Sequence, residues 1–391
     1  VQLFVIFPYR LFALFFCHSV KSLSRFDCFT ILPYIIQNII IPNYFKSIIS
    51  PPTKVMVMVK AFSYGSGGDE IAHFLQYNNV HYLGVAYADE GVALRKQGIK
   101  LPIMVLNSDE DSYDVMLDYD LEPELYNFRS LNMFAKAVKA KAIDGAKAHI
   151  EVNTGMNRFG FDSSEVEDVP KLVLDEPGVT IQSILRHWSA VEDAKLDSLS
   201  ISQIAGLNAF HVKFKAMVGY GPMKHLANSA GAIRFKESHF DMIRLGVGLY
   251  GFHPTNQKDN SIVPISTLKS FVSQIRVVKP DEGIGYGHLD ATNTERKIAV
   301  VAIGYADGLN RALSRGKGWF TINGHRAAIV GNICMDMTMC DVTHIPCEEG
   351  DEVIVIGNDP SIVEIAETLN TIPYEVMTSI SQRVKRVYSE E

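Results

Sequence analysis

Lys60 closes the apolar run 55–59, and Ala61-Phe62-Ser63-Tyr64-Gly65-Ser66-Gly67 follow it at once. A run of β-branched and apolar residues reads as a strand buried on both faces. The Gly/Ser cluster reads as a loop into a helix that begins near Asp69. An amine at the end of a buried strand is desolvated, which lowers its pKa, and such an amine forms Schiff bases with aldehydes. The same segment equally fits a strand-end lysine whose amine snorkels to solvent. Further groups of this kind recur along the chain. Arg158 follows the apolar run 147–153, His187 ends 180–187, Asn228 and Ser229 end 224–228, and Arg244 lies in 242–250. Ser229 opens a predicted helix, where a hydroxyl and free N–H groups suit a phosphate. Gly246 lets backbone amides approach a ligand closely.

These groups need a frame that brings them together. Predicted strands at 55–60, 82–86, 102–106, 121–125, 147–153, 180–187, 224–228 and 242–250 alternate with helical patterns at 70–77, 89–96, 130–141, 200–217 and 230–235. The alternation predicts an α/β fold, a (β/α)8 TIM barrel, with other doubly wound folds as the alternative. A barrel gathers its chemistry at the C-terminal ends of its strands, where Lys60, Arg158, His187, Ser229 and Arg244 all fall. The texture changes near 253–256. Strand-like runs at 266–278, 296–303, 318–322, 326–330 and 352–356 come next, with Asn323-Gly324 as a type I′ hairpin signal. Helices at 361–369 and 374–382 complete a C-terminal mainly-β domain. The expected division is an atypical segment 1–42, a barrel over 43–255 and the β-rich domain over 256–391.

At 391 residues the chain is long enough for two cores, and its net charge of −7 argues against a nucleic-acid partner. Five cysteines without a CxxC pair predict neither a disulfide framework nor a metal site, and point to a reducing compartment. The first fifty residues differ, with eleven aromatics and a single acid, Asp27. Arg10, His18, Pro33 and Pro42 interrupt their apolar stretches, so neither stretch reads as a membrane span. An aberrant start to the reading frame is the preferred account, with a targeting segment as the alternative.

VMVMVKAFSYGSG resembles the pyridoxal-phosphate lysine motif of alanine racemases, and the chain from about Asn43 onward tracks that family in order. The likeness is greatest to the racemase half of bacterial fusions with a muramoyl-peptide ligase. It implies pyridoxal 5′-phosphate on Lys60, with its phosphate held by Tyr64, Ser229, Gly246, Val247 and Tyr374 (in IPYEV) and its ring beside His187. It implies Arg244 at the pyridine nitrogen, held by His225. An arginine there stays charged and leaves the nitrogen unprotonated, which disfavours a long-lived carbanion and favours racemisation over decarboxylation. Tyr286 in GIGYGHLDA would be the second base, one per face of Cα. Arg158 and the backbone N–H of Met335 in VGNICMDMT would bind the substrate carboxylate. Tyr305 in AIGYADGLNR, Arg311 and Asp336 would support the mouth of the site. In the family, Tyr286, Met335 and Asp336 come from the partner subunit, which implies a homodimer with shared sites.

The resemblance further implies a cytoplasmic enzyme that turns L-alanine into D-alanine for peptidoglycan, with no metal and no membrane partner. Three positions depart from the family. Glu151 stands where many members carry a carbamylated lysine, so no carbamate is expected; Phe62 and Ser66 differ from the usual small residue and histidine. Competing readings are a broad-specificity amino-acid racemase, a fold-related decarboxylase, a non-catalytic pyridoxal-phosphate carrier and a disabled homologue. Arg244 speaks against the decarboxylase, and Tyr286 with Met335 against the carrier.

Overall fold

A computed structural model describes residues 28–31, 44–49, 51–253 and 264–388. Apart from strand β1 (Cys28–Ile31), the expectations for 1–42 lie outside the described residues, as does 254–256 at the expected domain boundary. The chain divides into two compact units. One lies within Ile31–Ser266, with Pro373–Thr378 and Tyr388 added. The other holds Thr267–Ile372 and Ser379–Val387 together with 28–30.

The first unit is the predicted barrel. Strands β2 (Lys54–Met58), β3 (Tyr82–Val85), β4 (Ile103–Val105), β5 (Leu121–Leu125), β6 (Ala146–Glu151), β7 (Val179–Leu185), β8 (Met223–His225) and β9 (Met242–Leu245) form one eight-stranded sheet. Its neighbouring strands pair in parallel, from β9 beside β2 round to β7 beside β8. Backbone hydrogen bonds from Asp241 to Lys224 (3.1 Å) and from Arg244 to Ala227 (2.8 Å) bring β8 and β9 together and close the ring. Helices α1 (Asp69–Tyr77), α2 (Ala88–Lys96), α3 (Tyr113–Asp118), α4 (Phe128–Ala140), α5 (Asp168–Asp175), α6 (Asp197–Val218) and α7 (Ser229–Arg234) intervene between strands. In α4 the buried residues Leu131, Phe134, Ala135 and Val138 recur at the spacing of one helix face. Asn127 caps it by accepting from the Ser130 N–H at 2.7 Å.

The interior of the barrel is divided in character. β2 to β4 contribute Met56, Met58, Met104 and the ring of Tyr82, which share the inward face. β5 to β9 contribute Glu122, Glu124, His149, Glu151, Ser183, His225 and Arg244, all buried. That polar half is costly unless its members satisfy one another, and the candidate site is built on the way they do so.

β2 ends two residues before Lys60, so the predicted strand 55–60 is shorter than expected. Ala61, Phe62, Ser63 and Tyr64 adopt φ of 53°, 55°, 50° and 53°, one turn of left-handed helix. Each L-residue there costs roughly 1–2 kcal/mol. Local bonds hold the turn. Ser63 N–H donates to Val59 and Gly65 N–H to Ala61, both at 3.0 Å. The Glu90 carboxylate accepts from the N–H groups of Ala61 and Ala86, both at 2.7 Å. Apolar period does not reveal the backbone conformation of a buried segment such as this one, which the sequence marks only as a loop. The same holds for the predicted strand 242–250, which stops at Leu245 and passes into a 3-10 turn, Val247–Tyr250. α3 and α5 have no counterpart among the predicted helices.

The second unit is antiparallel. β10 (Ser266–Val278), β11 (Arg296–Val301), β12 (Trp319–Ile322), β13 (His325–Val330), β14 (Thr338–Asp341), β15 (Glu352–Ile356) and β16 (Lys385–Tyr388) form its sheet with β1. Because β10 pairs with both β11 and β15, six strands close into a ring. Asn323 and Gly324 have φ of 48° and 78°, as the hairpin signal requires. Strands β1, β14 and β16 have no counterpart among the predicted strands. The predicted helix 374–382 is shorter, Pro373–Thr378, and the chain then turns into β16. Among the described residues no helix is long and apolar enough to cross a membrane.

Gly65 ends the left-handed turn at φ 79°, and a Cβ there would sit 2.3 Å from the carbonyl oxygen of Met377. Gly65→Ala should therefore destabilise the chain by about 2 kcal/mol or more. A lower urea midpoint checks this; an unchanged midpoint would show that the backbone shifts freely.

Candidate active site

Lys60 begins the left-handed turn, partly buried at the end of β2. Burial pulls its amine below the ordinary lysine value, and Arg158 and Arg244 lower it further, while Glu90 and Glu124 oppose them. The amine is thus poised to be neutral more readily than a surface lysine, as the sequence predicts. Tyr64 closes the turn, its ring 4.8 Å from that of Tyr250 and 5.9 Å from that of Tyr374. Burial pushes the Tyr64 phenol well above its usual range, so it is a hydrogen-bond donor at neutral pH.

Three segments converge beside Tyr64. Asn228 caps α7 by accepting from the Gly231 N–H at 2.8 Å. Ser229, the first residue of α7, accepts from the Gly246 N–H at 3.0 Å. A Cβ on Gly246 would stand 2.8 Å from the Tyr64 hydroxyl. Two hydroxyls, a helix start and a stretch of backbone open only because residue 246 is glycine suit a phosphate. Val247 comes next, buried. The residues present therefore fit the phosphate of the predicted cofactor, with Lys60 on the adjoining turn for its aldehyde.

Arg244 is buried and makes more contacts than the sequence suggested. It donates to His225 Nδ1 (2.8 Å), to the carbonyls of Arg186 (2.7 Å), His225 (3.2 Å) and Leu226 (3.2 Å), and more weakly to His187 Nδ1 at 3.4 Å. Burial lowers it to about 10, with Glu124 and Glu151 opposing, so it stays cationic at neutral pH. Burial, with Arg244 next in weight, drives His187 down to about 3. His187 is accordingly a neutral ring, suited to pack beside another ring rather than to donate a proton. His225 is held far below its usual value by burial and by Arg244.

Glu151 and Glu124 lie in the same electrostatic neighbourhood. Burial, then the charge of Glu151, holds Glu124 well above the ordinary carboxylate range, against the pull of Arg244, Arg158 and Lys60. Burial raises Glu151 too, opposed by Arg158, Arg244 and Arg186. Arg186 is buried, donates to Thr154, and has Glu151 as its opposing charge. Sequence reasoning found Glu151 but not Glu124 or Arg186. The signal was present as acids two apart in LEPEL and polar residues two apart in AKAHIE, the period of one strand face. Arg158 lies exposed in the loop after β6.

The remaining predicted residues belong to the β unit, which brings them to one cluster of loops. Tyr286 is 75% exposed at the tip of a loop rooted by buried Ile284, whose core partners are Ile298, Val330 and Met339. The Tyr286 carbonyl accepts from Asn332 at 3.3 Å. The backbone N–H groups of Tyr305 and Ala306 donate to the carbonyls of Cys334 and Met335, both at 3.0 Å, which ties the Tyr305 loop to the Met335 loop. Asp336 pairs with Arg383 at 2.7 Å, and Arg383 reaches Asp307 at the same distance. The field of Arg311 reaches Cys334. Tyr305, Met335, Asp336 and Arg311 are exposed. Among the described residues no cluster of potential metal ligands occurs.

Residues 43–254 match the family described as alanine racemase, N-terminal domain, and residues 265–388 that described as alanine racemase, C-terminal domain. The chain belongs to the alanine racemase family. It is 36% identical to the alanine racemase of Halothermothrix orenii over 365 residues, 89% of this chain and 93% of that protein. The structure of the alanine racemase of Clostridium difficile 630 superimposes with a TM-score of 0.87 at 29% identity, covering 94% of this chain and 97% of that one. That of Bartonella henselae, described with covalently bound pyridoxal phosphate, gives 0.84 at 28% identity, covering 94% and 100%. The TIM barrel and the antiparallel β barrel are thus the racemase architecture.

A buried acid whose pKa rises on folding contributes stability that is fully present below its unfolded pKa and lost as pH rises toward its folded one. The wild type should therefore lose stability above pH 4.5, the ordinary glutamate value, as Glu124 resists ionisation. Glu124→Gln removes that loss. It should melt several degrees above the wild type at pH 8, with the gap closing toward pH 4.5; parallel melting curves across this range would refute the assignment.

Proposed function

We propose that this chain interconverts L-alanine and D-alanine with pyridoxal 5′-phosphate held at Lys60, and that it supplies D-alanine for peptidoglycan in the cytoplasm. The observation that carries the reading is a desolvated lysine amine on the same turn as Tyr64, whose hydroxyl meets the open backbone at Gly246, itself bonded to Ser229. When bound, the cofactor supplies an aldehyde for an amine and an electron sink that acidifies the substrate Cα–H. Every other part of the reaction falls to the chain. Tyr64, Ser229, Tyr374 and the backbone at Gly246 and Val247 hold the phosphate. His187 packs beside the ring, and Arg244 faces its nitrogen as a fixed cation, braced by His225. Arg158 and the Met335 N–H hold the substrate carboxylate, with Glu151 supplying the anion near Arg158 without carbamylation. Tyr305, Arg311 and Asp336 shape the mouth.

Racemisation takes a proton from one face of Cα and returns one to the other, so two bases serve it best. Lys60 is one and Tyr286 the other, Lys60 acting on the D-enantiomer and Tyr286 on the L-enantiomer. The exposure of Tyr286 suits a phenol that serves a site on a second copy of the chain in a two-fold dimer. Residues 43–255 are taken as the cofactor-binding domain and 256–391 as the domain that offers Tyr286, with 1–42 counted to neither except for β1, which joins the sheet of the β unit. Kinship with the racemase half of ligase fusions is the finer placement, and it rests on the order of motifs alone.

Borohydride reduction followed by peptide mapping should place the cofactor on Lys60; a label on another lysine overturns the assignment. Arg244→Glu should bring a new long-wavelength band with slower racemisation, and an unchanged spectrum and rate would mean that Arg244 does not face the ring. Lys60→Ala and Tyr286→Phe should each be inactive, and Tyr286→Phe should keep its visible absorbance. Mixed and allowed to exchange, the two should recover part of the activity, because one site of a mixed dimer is then wild type. Demonstrated exchange without recovery rules out the shared site.

A further inference from the structure

Four hydrogen bonds of 2.7–2.8 Å join Arg244 to Glu122 through His225, Ser183 and His149. All five side chains are at most 4% exposed. They come from β9, β8, β7, β6 and β5 in turn, so the chain of bonds runs across the polar half of the barrel. Glu122 is the second residue of β5, near the end of the barrel opposite the candidate site. There its other oxygen has Lys147 at 3.6 Å, and the Tyr82 hydroxyl also hydrogen-bonds to it.

The direction of every bond is set by the inventory of donors. A guanidinium only donates, so His225 Nδ1 accepts and its ring proton sits on Nε2. That Nε2–H donates to Ser183 Oγ. The Ser183 hydroxyl has His149 Nδ1 as its own acceptor, and leaving a buried hydroxyl proton without one is unfavourable. His149 Nδ1 therefore accepts, its proton sits on Nε2, and Nε2–H donates to the Glu122 carboxylate. The bonds all point one way, from a cation to an anion, and each polarises the next.

We propose that Glu122 is a positioning residue for racemisation, which acts through His149, Ser183 and His225 to hold Arg244 as a donor in a fixed orientation. The proposal rests on the assignment of Arg244 to the ring nitrogen. Without a carboxylate acceptor at the far end, or without the Ser183 hydroxyl, His225 is free to carry its proton on Nδ1. That would set N–H against N–H at Arg244 and push the guanidinium off its position. Ser183 is the joint, because its hydroxyl is the one group in the chain of bonds that touches both histidine rings.

The test uses holoenzyme with 15N-labelled histidine. In the wild type, His225 and His149 should both show Nδ1 unprotonated and Nε2 protonated. Ser183→Ala should abolish that single pattern at His225, shift the visible band of the bound cofactor and lower kcat roughly tenfold, the size of one buried hydrogen bond to a charged group, with KM within about twofold. Ser183→Thr keeps the hydroxyl and should restore all three. Glu122→Gln, which can donate where Glu122 only accepts, should produce the same direction of change, so a folding defect in one variant leaves the other to decide. Unchanged tautomers and kcat in both overturn the proposal. Tautomers that change while kcat and the band stay put also overturn it, since the relay then does not reach the chemistry. The Arg244 assignment stands or falls separately, on whether Arg244→Glu moves the band.

Discussion

A guanidinium charge buried inside a barrel is tolerated only if the surrounding side chains and carbonyls replace the water it lost. Arg244 meets that condition through carbonyls at the ends of β7 and β8 and through His225, with Glu151 in the same electrostatic neighbourhood. The polar half of the barrel interior answers this one requirement. The histidines are kept neutral and the carboxylates are kept close. They come from β5, β6 and β8, and the C-terminal ends of the neighbouring β7 and of β8 bear His187 and Ser229. An apolar filling of β5 to β9 would pack as well, but it would leave the arginine uncompensated.

The opposite half of the barrel solves a different problem. β2 is apolar and ends early, and the chain leaves it through a left-handed turn that four ordinary residues adopt. Such a turn is unfavourable by itself. It persists because Glu90 ties down its first amide, Tyr64 packs on Tyr250 and Tyr374, and Gly65 sits where only glycine fits. Lys60 and Tyr64 are thereby delivered from a single tight segment, a short distance apart along the chain and on a rigid base.

In the β unit the arrangement is reversed. A closed sheet with a core of Ile284, Ile298, Val330 and Met339 holds three loops that present Tyr286, Tyr305 and Met335 to solvent. Ring closure leaves β10 to β15 without free edges among themselves, and the loops owe their positions to backbone bonds such as Tyr305 to Cys334.

The sequence by itself determined the alternation that makes a barrel, the β-rich second unit and the identity of the motif residues, because apolar period and Gly, Pro and Asn-Gly signals are local. Lys60, Ser229 and Arg244 could be picked out because a charged or polar group at the end of an apolar run is conspicuous. Glu122, Glu124, Ser183 and Arg186 were not, since each is an ordinary polar residue until its neighbours from other strands are known. The left-handed φ of the loop after β2 and the 3-10 turn inside the predicted strand 242–250 were likewise hidden, because apolar period does not encode the backbone conformation of a buried segment. What only the tertiary structure decided was partnership. Whether a buried acid is ionised, which way a histidine tautomer points and which charge answers Arg244 depend on hydrogen bonds between residues 19 to 58 positions apart and on acids farther still from Arg244 along the chain, and such contacts exist only once the strands have closed into a ring.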